Sequence, residues 1–125
     1  MFALIIRGDY EEDGAKFVTS ESNALQLGIL RHREGAQVKP HVHRNTPRTI
    51  SEVQEVLHVE YGEVEAEFYD ARNTKVGSVR LRAGDTALLM SGGHGFRIME
   101  ECKMIEVKQG PYLGTAEDKE YLNPA

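Results

Sequence analysis

Apolar and polar residues alternate along most of this chain with the two-residue period of a half-buried β-strand, and helical periodicity is scarce. Residues 2–7 open with an apolar run that predicts a first strand, and 8–14, carrying Asp9, Glu11, Glu12 and Asp13, predict a solvated acidic loop. Leu25, Leu27 and Ile29 share one face of a strand over 25–30. After Gly62, Val64, Ala66 and Phe68 alternate with Glu63, Glu65 and Glu67, and the next strand sets Val79 and Leu81 against Ser78, Arg80 and Arg82. The intervening loop is 71–74. A single register puts apolar opposite apolar here, Val64 facing Leu81 and Ala66 facing Val79. It also sets Glu63 across from Arg82 and Glu65 across from Arg80, pairs worth roughly 0.2 to 1 kcal/mol each. Strands over 96–99 and 103–108, with Ile105 and Val107 on one face, complete the sheet. Gly110-Pro111 closes it, and Thr115 followed by Asp118 predicts a short helical turn to about residue 121. Many short strands separated by glycine turns make an all-β barrel or double-sheet jelly roll.

The candidate chemistry sits in His41-Val42-His43 and in Glu55. On an extended strand, residues i and i+2 leave the same face, so the two imidazoles form a pincer aimed into one space. Pro40 lacks an N–H, which places the pincer strand at an edge or at its own start. Parity groups Glu55 with Leu57, Val59 and Tyr61, large side chains that belong in a core, so its carboxylate points inward. A buried charge is tolerated when it is paired or coordinates a metal, and imidazoles with a carboxylate form a common metal set. Tyr61, Phe68, Leu88 and Phe96 are expected as core or pocket wall.

The spacing of these residues resembles the first motif of the cupin superfamily. Gly35, five residues, His41 and His43, then Glu55, six residues and Gly62, match every interval but one, because eleven residues separate His43 from Glu55. The second motif is matched at Gly84, Gly92 and His94, with Met90 in the place of the family proline, one residue fewer before His94, and Ile98 where the family has asparagine. The resemblance covers residues 25–109. It implies a double-stranded β-helix, the jelly-roll cupin barrel, as one domain over 1–125, with a motif core at 35–94 and a C-terminal extension at 110–125. It also implies a divalent transition metal (Fe, Mn, Ni, Co or Zn) held by His41, His43, Glu55 and His94, with positions left open for water or substrate. The chain further resembles small single-domain cupins of bacterial sugar and surface-polysaccharide metabolism. The implied function is a metal-dependent enzyme of isomerase, epimerase or dioxygenase type acting on a carbohydrate-like or sugar-phosphate molecule. Two alternatives stand beside it: a non-catalytic ligand-binding or sensing module, and a metal-free sugar epimerase or isomerase in which a barrel histidine is the general base.

Charge and length narrow the partners. A formal charge of −5 over 125 residues, with the basic residues scattered, argues against nucleic acid. The first apolar run is too short for a membrane span. The single cysteine, Cys102, allows no internal disulfide and suits the cytoplasm; it reads as a small buried hydrophobe. Residues 44–54 form an insertion beside the pincer, read as a lid whose Arg44 and Arg48 bind an anionic substrate through their planar forks, or as a hydrated loop with an added strand at 49–53. His32 and His58 are expected to be bystanders. Unpaired sheet edges favour a homodimer, in which relatives of this fold are often found.

Overall fold

The structure, a computed structural model, describes residues 1–123; the last two residues of the expected C-terminal extension lie outside the described residues. It is all-β apart from one four-residue helix, α1 (Thr115–Asp118), and the described chain forms two compact units: residues 1–10 with those from 53 onward, and residues 11–52.

In the first unit the sheet is built on β4 (Glu55–Tyr69), 15 residues long. On one side β4 pairs over its first four residues with β6 (Thr86–Leu89), which carries β1 (Ala3–Ile6), and over its second half with β5 (Lys75–Arg82). The 16-residue β7 (Gly93–Lys108) runs antiparallel along its other side from end to end. The expected register is present, with Val64 facing Leu81 and Ala66 facing Val79. Glu63 takes both guanidiniums, Arg82 at 2.9 Å and Arg80 at 3.3 Å, whereas Glu65 faces Arg80 on one side and Arg97 on the other. Residues 96–99 and 103–108 belong to one strand, because β4 is long enough to pair with both.

The ribbon formed by β4 and β7 cannot be straight. Thirteen residues of strand between Glu55 and Phe68 would span roughly 43 Å, yet the Glu55 carboxylate lies 3.6 Å from the ring of His94, the register partner of Phe68. The fold-back falls between Val59 and Val64, where the register to β7 shifts three times. Gly62 sits there with φ of 87°. A Cβ at this position would meet the carbonyl oxygen of Glu101 and come within 2.6 Å of Cys102 Cα, so only glycine fits. The irregularity also changes which parity faces inward, from Leu57 and Val59 before it to Val64, Ala66 and Phe68 after it. With Leu81, Ala87 and Leu89 these make the core. Tyr61, expected inward by unbroken parity, is 51% exposed. Leu88 is buried on the face opposite Ala87 and Leu89.

The turn between β5 and β6 is clipped by Asp85, which is buried. Its carboxylate accepts the N–H groups of Gly8 at 2.9 Å and Arg82 at 2.8 Å, and the Arg7 guanidinium at 2.8 Å. Burial alone would raise its pKa; the two backbone donors and the guanidinium outweigh it and hold the carboxyl below its ordinary range. Asp70 shapes the turn between β4 and β5 in the same way, accepting the N–H groups of Arg72 and Thr74.

The second unit is a hairpin of β2 (Gly14–Phe17) and β3 (Gly28–Arg31), followed by chain without regular structure. Its β2 was hidden behind the acidic residues, and the strand expected over 25–30 is confined to its end. Arg31 ties the hairpin to Glu11 at 3.3 Å and to Asp13. No strand forms over 49–53, and the pincer residues lie on no strand.

Replacing Gly62 with Ala should cost about 2 to 4 kcal/mol, from the positive φ and the contact with the β7 backbone. Gly77→Ala, with open space around it, should change stability by less than about 0.5 kcal/mol. Urea unfolding of the two variants measures the difference, and equal midpoints would contradict the fold-back.

Candidate active site

The folded-back ribbon of the first unit encloses a cleft of about 890 Å³, lined in part by Glu55, Tyr69, His94, Phe96, Glu106 and Lys119. Glu55 starts β4, His94 lies at the start of β7, and Glu106 lies near its end, diagonal to Glu55 across the pair that joins Glu55 to Lys108. All three line the cleft because the ribbon's two ends have been brought over one another; Glu55 is half-buried, whereas His94 and Glu106 stay open to solvent. His94 packs against Phe96, with ring centroids 5.7 Å apart.

The Glu55 carboxyl is pushed up to about 7, first by burial and then by its hydrogen bond to, and repulsion from, Glu106; Lys108 and Lys119 oppose this. Burial holds His94 below its ordinary value, with Lys119 and Lys108 acting in the same direction against Glu106. The 3.6 Å contact between Glu55 and His94 therefore brings together a carboxyl that holds its proton up to about pH 7 and an imidazole whose hold on a proton is weakened. It is a donor beside an acceptor, rather than an ion pair. Lys108 is engaged by Asp118 at 3.6 Å.

Of the four residues expected to hold a metal, Glu55 and His94 are brought together in the first unit. His41 and His43 belong to the second unit, where both are exposed and their ring centroids are 5.1 Å apart, with His41 Nδ1 2.8 Å from the Lys39 carbonyl oxygen. Glu55 and His94 could share an ion, but a transition metal takes three or four protein ligands. Among the described residues no group of three or more His, Cys, Asp or Glu is placed to hold one. Arg44 and Arg48 are exposed in the second unit, and Arg48 donates to the Thr46 carbonyl oxygen at 3.2 Å. His58 faces away from Glu55, as expected, and its Nδ1 lies 2.9 Å from the Thr86 hydroxyl.

Glu106 and Lys119 were not singled out from the sequence. Ile105 and Val107 suggest an inward face by their apolar character, which turns Glu106 outward; in the fold those two are 46% and 58% exposed and Glu106 faces the cleft. The signal lay in Met104, the alternating partner that packs against the core.

Comparisons with protein-family models, with curated proteins and with solved structures each return no match. The cupin resemblance thus rests on the motif residues of this chain, and the architecture defined here is an all-β unit with a curled antiparallel sheet. Among the described residues no helix is long and apolar enough to cross a membrane.

Glu55 should titrate near pH 7, visible as a carboxyl carbon shift in NMR. Glu106→Gln should lower that midpoint part of the way toward the ordinary 4.5, since burial, the larger cause, remains. Because the folded pKa is raised, the stability Glu55 contributes is present below 4.5 and lost as pH rises through about 7. His94, with its folded pKa lowered from 6.5, runs the opposite way, contributing above 6.5 and losing that contribution on acidification. A Glu55 midpoint that ignores Glu106→Gln would contradict the interaction with Glu106.

Proposed function

We propose that this protein is an enzyme of proton transfer, an isomerase or epimerase acting on a small hydroxyl-bearing, carbohydrate-like molecule in the cleft of the first unit. The observation that carries this reading is the imidazole of His94 held 3.6 Å from the Glu55 carboxyl, both facing a space of about 890 Å³, a volume suited to a small-molecule ligand. In the reaction His94 takes the proton from the carbon beside the substrate carbonyl, while Glu55 gives its proton to the carbonyl oxygen. His94 then returns the proton to the adjacent carbon of the enediol while Glu55 takes the proton of the hydroxyl that becomes the new carbonyl. Inversion at the original carbon instead takes its proton from a water on the opposite face, with Glu55 recovering the proton it gave and His94 releasing its proton to water. Positioned acid–base groups contribute about 10²- to 10⁴-fold to such a step. The carboxylates lining the cleft, among them Glu106, Asp118 and Glu120, favour an uncharged sugar over a phosphorylated one.

A second reading is favoured by the adjacent rings of His41 and His43. In it these two are ligands of a divalent transition metal that polarises a carbonyl, and Arg44 and Arg48 bind an anionic group of the substrate.

Deuterium wash-in distinguishes the two. With the protein in D₂O and unphosphorylated aldoses and ketoses as probes, proton NMR should show exchange at the carbon beside the carbonyl. His94→Gln and Glu55→Gln should each slow it at least about 100-fold, while a chelator, His41→Ala and His43→Ala leave it unchanged. Exchange that the chelator and His41→Ala abolish would transfer the chemistry to the metal reading. Sugar binding without any exchange would make the cleft that of a binding module.

A further inference from the structure

Strand β7 is hydrogen-bonded to β4 along one edge, and among the described residues no strand pairs with its other edge. Sixteen residues of open edge are a template for another strand. Next to that edge Met99, Ile105 and Val107 are 38%, 46% and 58% exposed.

We propose that a second copy of this chain docks there, β7 against β7, antiparallel about a two-fold axis at Cys102. Two independent features place the axis. The ribbon folds back where Gly62 abuts Cys102, and a bent strand can pair with its own copy over its length only if the two bends coincide. Charge then decides among the registers next to the bend. Facing side chains in an antiparallel pair share a face, and a two-fold axis normal to the sheet must pass through a residue. An axis at Glu100, Glu101 or Lys103 would set that residue against its own like charge. The axis at Cys102 sets Glu101 against Lys103, twice by symmetry, and Met99 against Ile105, and over 96–108 it brings no like charges face to face. Glu101 and Lys103 are both exposed. The edge is thus complementary to itself, which selects a copy of the chain over a foreign strand, and the contact is isologous and closes as a dimer.

Sedimentation velocity over a concentration series should show a monomer–dimer equilibrium. Glu101→Lys and Lys103→Glu should each raise the dimer Kd at least about tenfold, since each replaces two attractive cross-strand pairs with two repulsive ones. The double variant, which restores opposite charges, should return to within about threefold of the wild type. Directly opposed residues have Cα atoms about 4.5 to 5.5 Å apart, within reach of a disulfide. Oxidation with copper phenanthroline should therefore join wild-type subunits through the chain's one cysteine, and Cys102→Ser should abolish the product. Circular dichroism of each variant separates lost folding from lost pairing. A monomer at every concentration, or a dimer indifferent to the charge swap and to oxidation, would overturn the proposal.

Discussion

At no other glycine would an added Cβ come as near a neighbouring atom as at Gly62, against Glu101 and Cys102, and the first unit depends on that missing atom. A side chain at residue 62 would keep β4 and β7 from folding back. Without the fold-back, Glu55 and His94 would stand at opposite ends of a long two-stranded ribbon. The inward parity would also be wrong in one half, because Leu57 and Val59 need odd positions inward while Val64, Ala66 and Phe68 need even ones. One irregularity thus closes the core and assembles the cleft. The hydrophobic sets on either side drive it, and the missing Cβ permits it.

Local alternation was legible in the sequence wherever one face was strictly apolar. Val64, Ala66 and Phe68 against Val79 and Leu81 fixed a register that the fold contains residue for residue. Legibility failed where alternation was interrupted or doubled. Tyr61 is assigned inward by parity that stops one residue later, and nothing in Glu60-Tyr61-Gly62 announces the switch except the glycine. On β7 both faces carry large apolar side chains, so the pattern does not say which is inside, and Glu106 was lost with it. The Glu55–His94 half of the site was found because both residues sit in motif spacing. His41 and His43 belong to the second unit, where charge pairs and short hydrogen bonds shape the chain more than apolar alternation does.

In the cleft, two titratable groups are both shifted toward their uncharged forms. Burial acts on both, raising the carboxyl and lowering the imidazole, so the same removal from water produces an acid and a base side by side. Glu106 sharpens the first effect and tempers the second, while Lys108 and Lys119 limit the rise of Glu55. In the reaction proposed above a fully paired salt bridge at this position would be inert, since both partners would already hold the charges that proton transfer creates.

The Asp85 clip bears on the order in which the chain can fold as it is synthesised. Strand β1, with apolar residues from Ala3 to Ile6, finds its neighbour only when Thr86–Leu89 has emerged, because Ile6 faces Thr86 and Ala3 faces Leu89. Until then its apolar face has no native surface to cover it, and joining ends so far apart in sequence is slow. The carboxylate of Asp85 fastens Arg7 and Gly8 when they arrive. Strand β1 is therefore made about eighty residues before the strand that covers it, whereas β5 follows its partner β4 after a turn of only a few residues.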